Sequence, residues 1–212
     1  MLKNAIVTGY SSGIGKAIVT QLKQNNYKII YLQNRLENIE LVENEVKDIL
    51  KTKDIDLLVN CAGIGLFEPH EQISTKQIKQ LIDINLIAPI VLSNLCLRSL
   101  KKTQGHIINI TSIEALKHSK FSALYTATKS GLRDFSLSLF EEVRKSGVKI
   151  TSINPDITKT HFFDNLHFKP SDKEDRYLEA DTIAKTVIDI LNTNGVITDI
   201  TIRPQKFEII KR

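Results

Sequence analysis

The stretch IVTGYSSGIGKA, residues 6–17, decides how the rest of the chain is read. A β-branched apolar run meets Thr8-Gly9, two serines, then Gly13-Ile14-Gly15 and a tail that favours helix. A strand turning through glycines into a helix leaves unpaired N–H groups and a positive dipole end facing any anion. Glycines also let the backbone turn sharply and approach a pyrophosphate closely. A Walker loop needs G-x-x-x-x-G-K-[ST], whose hydroxyl holds Mg²⁺. Here five residues separate Gly9 from Gly15, and Ala17 follows Lys16, so spacing and hydroxyl both fail. The fingerprint G-x-G-x-x-G fails as well, because the glycines are separated by three residues and then by one. Taken alone, the loop is equally a plain turn with a glycine-rich helix start.

Outward from this loop the chain alternates between two periods. Apolar strand-like runs fall at 2–8, 28–32, 56–59, 106–111, 148–154 and 198–202. Amphipathic helical stretches fall at 13–25, 44–53, 75–100, 122–146 and 181–192. Strand alternating with helix predicts an α/β fold: a Rossmann-like, doubly wound parallel sheet with helices on both faces, a three-layer sandwich. Runs such as IINIT and KITSI have the near-continuous apolar character of strands covered on both faces. IELV, 39–42, reads as one more short strand. Only residues 33–55 separate the second strand from the next long one, which leaves little room for a further helix. The polar segment 169–181 reads as a mobile loop.

The chain has 212 residues, enough for one domain with a sizeable core and too few for two. Hydrophobic residues make up 42% and charged residues 25%, a balance ordinary for soluble proteins. The net charge of +5 is spread along the chain with no basic run interleaved with aromatics, so neither nucleic acid nor a membrane is expected as partner. No apolar run approaches the roughly 20 residues needed to span a bilayer. The N-terminus has no signal-peptide core and cleavage site, and Cys61 and Cys96 make no disulfide framework. A cytoplasmic protein is expected. His70, His106, His118, His161 and His167 have no metal-ligand spacing, so no metal is expected.

TGYSSGIG fits TGxxxGxG, and with it the chain resembles the short-chain dehydrogenase/reductase family. Asn60-Cys61-Ala62-Gly63 looks like that family's NNAG turn, with Cys in the second place. Asn85 in DINLIAP, Ser112 in INITS, and Tyr125 and Lys129 in YTATK match its catalytic tetrad in chain order. Residues 154–160 resemble its NPGxxxT segment. The resemblance runs from Met1 to about Pro204. It implies a single NAD(P)-binding domain over 1–212, with a substrate loop around 157–180. It implies a cofactor site from Gly9, Ser11, Ser12, Gly13, Ile14, Gly15, Asn60, Ala62, Gly63, Tyr125, Lys129, Pro155, Ile157 and Thr160. Oligomers built on the helices 75–100 and 122–146 would follow, as a homodimer or homotetramer.

The chemistry suits these residue types. Tyr125 and Lys129 are four apart, so a helix places them on one face. A phenol titrates near 10, too high for a base at neutral pH, and a nearby ammonium lowers that value. Tyr125 then exchanges a proton with a carbonyl or alcohol oxygen. Ser112, at a strand's C-terminal end, hydrogen-bonds the same oxygen as charge develops. By resemblance, Lys129 also holds the nicotinamide ribose and Asn85 supports a water in the proton relay.

After the second strand, Gln33-Asn34-Arg35 stands where an acid would take the 2′-hydroxyl of NAD. Arg35 suits a 2′-phosphate, which favours NADP over NAD. The family's acid–hydrophobe pair for the adenine pocket has Glu40-Leu41 as counterpart. Asp156 departs from the pattern, since glycine is usual there; a positive φ would strain it, and its carboxylate would lie near the nicotinamide. Phe162 and Phe163 would form apolar walls for a small carbonyl or alcohol substrate. Two other readings are a cofactor-holding sensor without turnover and a sugar-nucleotide epimerase, for which too little chain follows Thr160.

Overall fold

The computed structural model describes residues 2–212. Five strands, β1 (Lys3–Val7), β2 (Tyr27–Ile30), β3 (Leu57–Asn60), β4 (His106–Ile110) and β5 (Lys149–Pro155), and a last strand, Asp199–Ile202, form one sheet. Its order is β2-β1-β3-β4-β5 and then Asp199–Ile202, and every ladder is parallel. The crossovers are α1 (Gly13–Gln24), α2 (Ile39–Leu50), α3 (Thr75–Ile82) running on into α4 (Ala88–Thr103), α5 (Ala123–Val143) and α6 (Ala180–Asn192).

The side-chain alternation of each strand splits the core in two. Ala5, Val7, Leu57, Val59, Ile108 and Ile110 pack with Ile18 and Leu22 of α1 and Ile183 and Val187 of α6. Ile6, Leu58 and Ile107 point the other way, against Val42 and Val46 of α2, Leu92 and Cys96 of α4, and Leu139 of α5. The run Thr75–Thr103 is long and apolar enough by length and composition to cross a membrane, contrary to the reading of the bare sequence. Its Leu81, Leu92, Cys96 and Leu100 are wholly buried in the protein, as in the core helix of an α/β sheet.

Two expectations are corrected here. IELV is not a strand but the first turn of α2. Ile39, Val42, Val46, Ile49 and Leu50 keep a helical period that the four residues of IELV, three of them apolar, are too few to show. Leu41 is 52% exposed and Glu40 is exposed too, and both lie on the first turn of α2 rather than on a strand. The segment 169–181 is tied at both ends rather than free. Phe168–Pro170 pairs antiparallel with Ile209–Lys211, and Leu178–Glu179 pairs parallel with Thr158–Lys159.

The chain leaves β1 for β2 on one side and returns to β3 on the other. This reversal opens a crevice beyond the carboxyl ends of β1 and β3, where open α/β sheets bind ligands.

Candidate active site

A cavity of about 990 Å³ fills that crevice. Its floor at one end is the turn after β1. Gly9 has φ +68°, and a Cβ there would stand 2.9 Å from the Ala62 backbone. A Cβ on Gly15 would stand 2.2 Å from the Gly9 carbonyl oxygen, so the turn and the helix start touch through bare backbone. Thr8 fixes the partner loop: its Oγ1 accepts from the N–H groups of Cys61, at 3.0 Å, and Ala62, at 3.1 Å. The first N–H bond of α1 is Lys16 to Ser12, so the N–H groups of residues 13–15 precede the intrahelical ladder. The first turn carries no acid, and Ser12 forms no side-chain cap. Such a cradle fits a pyrophosphate. Ser11, Ser12, Gly13, Ile14, Ala62, Gly63, Pro155, Ile157 and Thr160 line the same cavity.

At the other end stand Ser112, Tyr125 and Lys129. Ser112, two residues beyond β4, caps a short helical turn, accepting from the Glu114 N–H at 3.2 Å. Tyr125 and Lys129 share one face of α5, with the Lys129 Nζ 5.8 Å from the centre of the Tyr125 ring. That Nζ also donates to the Ile110 carbonyl oxygen at 3.1 Å. Both side chains are buried, and burial shapes their protonation. It pushes the Tyr125 phenol above its ordinary value near 10; a hydrogen bond with Ser112 pulls back and the Glu114 charge pushes further up. Burial likewise pulls the Lys129 ammonium down to about 8, with the neighbouring Cys61 opposing. The Tyr125 phenol is therefore protonated at neutral pH, against the lowering expected from a nearby ammonium, and Lys129 keeps most of its charge.

Asn85 lies behind the cavity wall rather than on it. It sits in a π-helical turn, Asp83–Ile87, between α3 and α4. Such single-turn bulges recur at functional sites. Its Oδ1 accepts from the Ile64 N–H and its Nδ2 donates to the Ile64 carbonyl, both at 2.9 Å. A Cβ on Gly63 would be 3.3 Å from both Asn85 Oδ1 and Lys129 Nζ. Asn85 thus positions the loop against which Lys129 rests.

Other expected residues lie elsewhere. Asn60 is buried beneath the cavity, its Nδ2 donating to Asn109 Oδ1 at 2.8 Å, and it does not line the wall. Gln33, Asn34 and Arg35 are at the carboxyl end of β2, outside the cavity lining. The Glu45 carboxylate, from α2, accepts from the Gln33 N–H at 2.6 Å and the Asn34 N–H at 3.1 Å. Nothing in the local sequence signals this acid, which is the seventh residue of α2. Asp156 is unstrained, since among the described residues only Asn26, Gln104 and Phe121 combine a side chain with positive φ. Its carboxylate accepts from the Ile157 N–H and pairs with Arg203 at 2.9 Å, which neutralises it. Phe162 and Phe163 do line the cavity, joined by Phe67 and Phe168, which sequence reasoning missed.

The family model described as short chain dehydrogenase matches residues 3–53 and 44–170. An uncharacterized oxidoreductase of Staphylococcus epidermidis is 32% identical, over 95% of this chain and 97% of its own. An alcohol dehydrogenase of the archaeon Thermococcus sibiricus, solved with 5-hydroxy-NADP, superposes with a TM-score of 0.86. It is 24% identical and covers 98% of this chain and 99% of its own. A 4-hydroxyisoleucine dehydrogenase solved with NADH gives 0.83, at 23% identity over 95% and 97% of the two chains. These matches meet a parallel sheet with its cradle and a buried Tyr–Lys pair at opposite ends of one cavity, and the chain belongs to the short-chain dehydrogenase family, as an NAD(P)-dependent oxidoreductase.

Proposed function

We propose that the protein exchanges a hydride between NADP and a carbonyl or alcohol, with Tyr125 as acid–base group. One observation carries this: the phosphate cradle at Gly9–Gly15 and the Ser112–Tyr125–Lys129 group line a single continuous cavity. The bound nicotinamide supplies or takes the hydride. The chain's own residues handle the proton. Ser112 Oγ and the Tyr125 hydroxyl hold the substrate oxygen, and the phenol gives its proton as alkoxide character develops there. Lys129 keeps a positive charge beside the ring and favours the phenolate that remains. Asn85 keeps the 63–64 loop in place through its paired bonds to Ile64.

Arg35, exposed at the end of β2, supports NADP as the cofactor. Glu45 at the same edge favours NAD as a second reading, because a fixed carboxylate repels a 2′-phosphate. The NADP-bound and NADH-bound dehydrogenases above match the fold equally well. We further propose a cytoplasmic homo-oligomer that packs through α4 and α5 and uses neither nucleic acid nor membrane. The test mixes purified protein with NADPH or NADH and a panel of carbonyls, following nicotinamide absorbance. Consumption of reduced cofactor that disappears in Tyr125→Phe is expected. Saturable cofactor binding with no consumption across the panel points instead to a sensor.

A further inference from the structure

The cavity continues past Tyr125 as an aromatic passage. The Phe67 ring centre lies 5.0 Å from that of Tyr125, and the Phe162 centre lies 6.0 Å from it. Phe168 meets Phe67 edge-on at 5.1 Å and extends the apolar wall outward. Gly65 permits this arrangement, because a Cβ there would stand 2.5 Å from Phe162 Cζ. A small polar carbonyl would leave most of this surface wet.

The passage ends in a lip that is unusual in two ways. Phe121 and Phe207 both line the cavity, yet they are 46% and 49% exposed. Phe121 also has φ +66°, a left-handed backbone that disfavours a bulky side chain. Such strain collects at ligand clamps and active sites, where the surroundings impose it. The second feature is charge. Lys117 lies over the Phe207 ring at 4.9 Å and Lys120 over the Phe121 ring at 4.8 Å, and Lys211 lines the same mouth.

Of the cations at this lip, the acids of the cavity pair only Lys117, through Glu114. Glu68 is held by His167 at 3.0 Å, and Asp156 by Arg203. Glu114 is tied to the Ser119 hydroxyl at 2.7 Å and lies 3.6 Å from Lys117. Among the described residues, Lys120 and Lys211 have no carboxylate within ion-pair distance. Arg212, also at the mouth, spends its guanidinium on the Phe163 and Asp164 carbonyls.

We propose that the substrate is an elongated oxo-acid: a carbonyl at Tyr125, an apolar body along Phe67 and Phe162, and a remote carboxylate at Lys120 and Lys211. The body covers the exposed faces of Phe121 and Phe207, and the carboxylate meets cations that protein acids leave unpaired. This rests on Tyr125 being the site of carbonyl reduction. The reaction itself is unchanged: hydride to the carbonyl carbon, proton from Tyr125, carboxylate untouched.

The test compares aliphatic ω-oxo acids of rising length with their methyl esters and with propanal, using the holoenzyme and its preferred reduced nicotinamide. The long acid should exceed its ester in kcat/KM by roughly tenfold at low salt, an advantage that shrinks as salt screens the lip. The double variant Lys120→Glu/Lys211→Glu should erase or invert that preference and leave propanal unchanged. Phe121→Ser/Phe207→Ser should weaken the long substrates only. Equal turnover of acid and ester, or variants that alter propanal as much, overturns the proposal. Calorimetric binding of the long oxo acid runs alongside. If no carbonyl is reduced but the acid binds and the charge-reversed variant does not, the lip stands and the oxidoreductase reading of Tyr125 fails. If propanal is reduced and the acid does not bind, the lip fails alone.

Discussion

Lys129 Nζ reaches two places at once: the Ile110 carbonyl oxygen at 3.1 Å and the face of the Tyr125 ring, 5.8 Å from its centre. The helical spacing of four residues sets the second contact, and the parallel register of β4 sets the first. One ammonium thereby joins the sheet to the proposed acid–base group. Removing the phenol alone, in Tyr125→Phe, should lower kcat by about 10² to 10⁴ while leaving cofactor affinity and melting temperature nearly unchanged.

The pH profile follows from burial. The Tyr125 phenol is pushed above its ordinary value, so it stays protonated through the neutral range. Carbonyl reduction, which needs the protonated form, should be flat across neutral pH. Alcohol oxidation needs the phenolate and should climb as pH rises, continuing into the alkaline range. Steady-state rates in both directions check this; an oxidation rate that is flat from neutral pH upward would contradict the assigned base.

Asn85→Ala should cost stability as well as rate. The variant leaves the N–H and carbonyl of Ile64 without their partner in a half-buried loop. About 1–3 kcal/mol per unpaired group is expected, read from denaturant midpoints. Asn85→Ser should recover neither bond fully, because its hydroxyl is too short to span both atoms.

Much of this site was legible in residue order, and the exceptions share a cause. TGxxxGxG, Ser112 and the Tyr125–Lys129 pair are local patterns that secondary structure carries to one crevice. Asn60 misled because the same NxAG turn that places Ala62 and Gly63 on the wall turns its side chain toward Asn109. IELV misled because four residues cannot distinguish a strand from a helix whose period shows only over twelve. Glu45 and the lip residues Phe207 and Lys211 were silent. They act across long separations, and three-residue strands such as Ile209–Lys211 have too little periodicity to read.

Gly15→Ala is expected to disable the cradle. The new methyl would fall 2.2 Å from the Gly9 carbonyl oxygen, which is backbone and cannot swing aside. The helix start must shift, at a cost of about 1–3 kcal/mol. Cofactor-induced thermal stabilisation should vanish even where the variant folds.

Cofactor choice separates through two residues at one edge. Arg35→Ala should weaken NADP binding roughly tenfold and spare NAD, as loss of one charged contact implies. Glu45→Gln removes a negative charge beside the Gln33 and Asn34 N–H groups and should strengthen NADP relative to NAD. Titration of each variant with both cofactors checks the pair of effects; unchanged NADP affinity in Arg35→Ala would favour NAD as the natural cofactor.

His106 gives the fold an acid limit that is independent of catalysis. It is buried at the start of β4, where its Nε2 lies 2.8 Å from Thr151 Oγ1. Burial, with the nearby Lys149 charge, pulls its pKa from 6.5 down to about 3. Between those values the unfolded chain binds a proton that the folded chain refuses. Stability from this group is therefore full above pH 6.5 and declines as pH falls toward 3, by at most about 1.4 kcal/mol per unit. Urea midpoints at pH 7, 6, 5 and 4 should show wild type losing stability faster than His106→Gln, which has no proton to gain. Parallel losses in the two proteins would show that His106 does not set the acid limit.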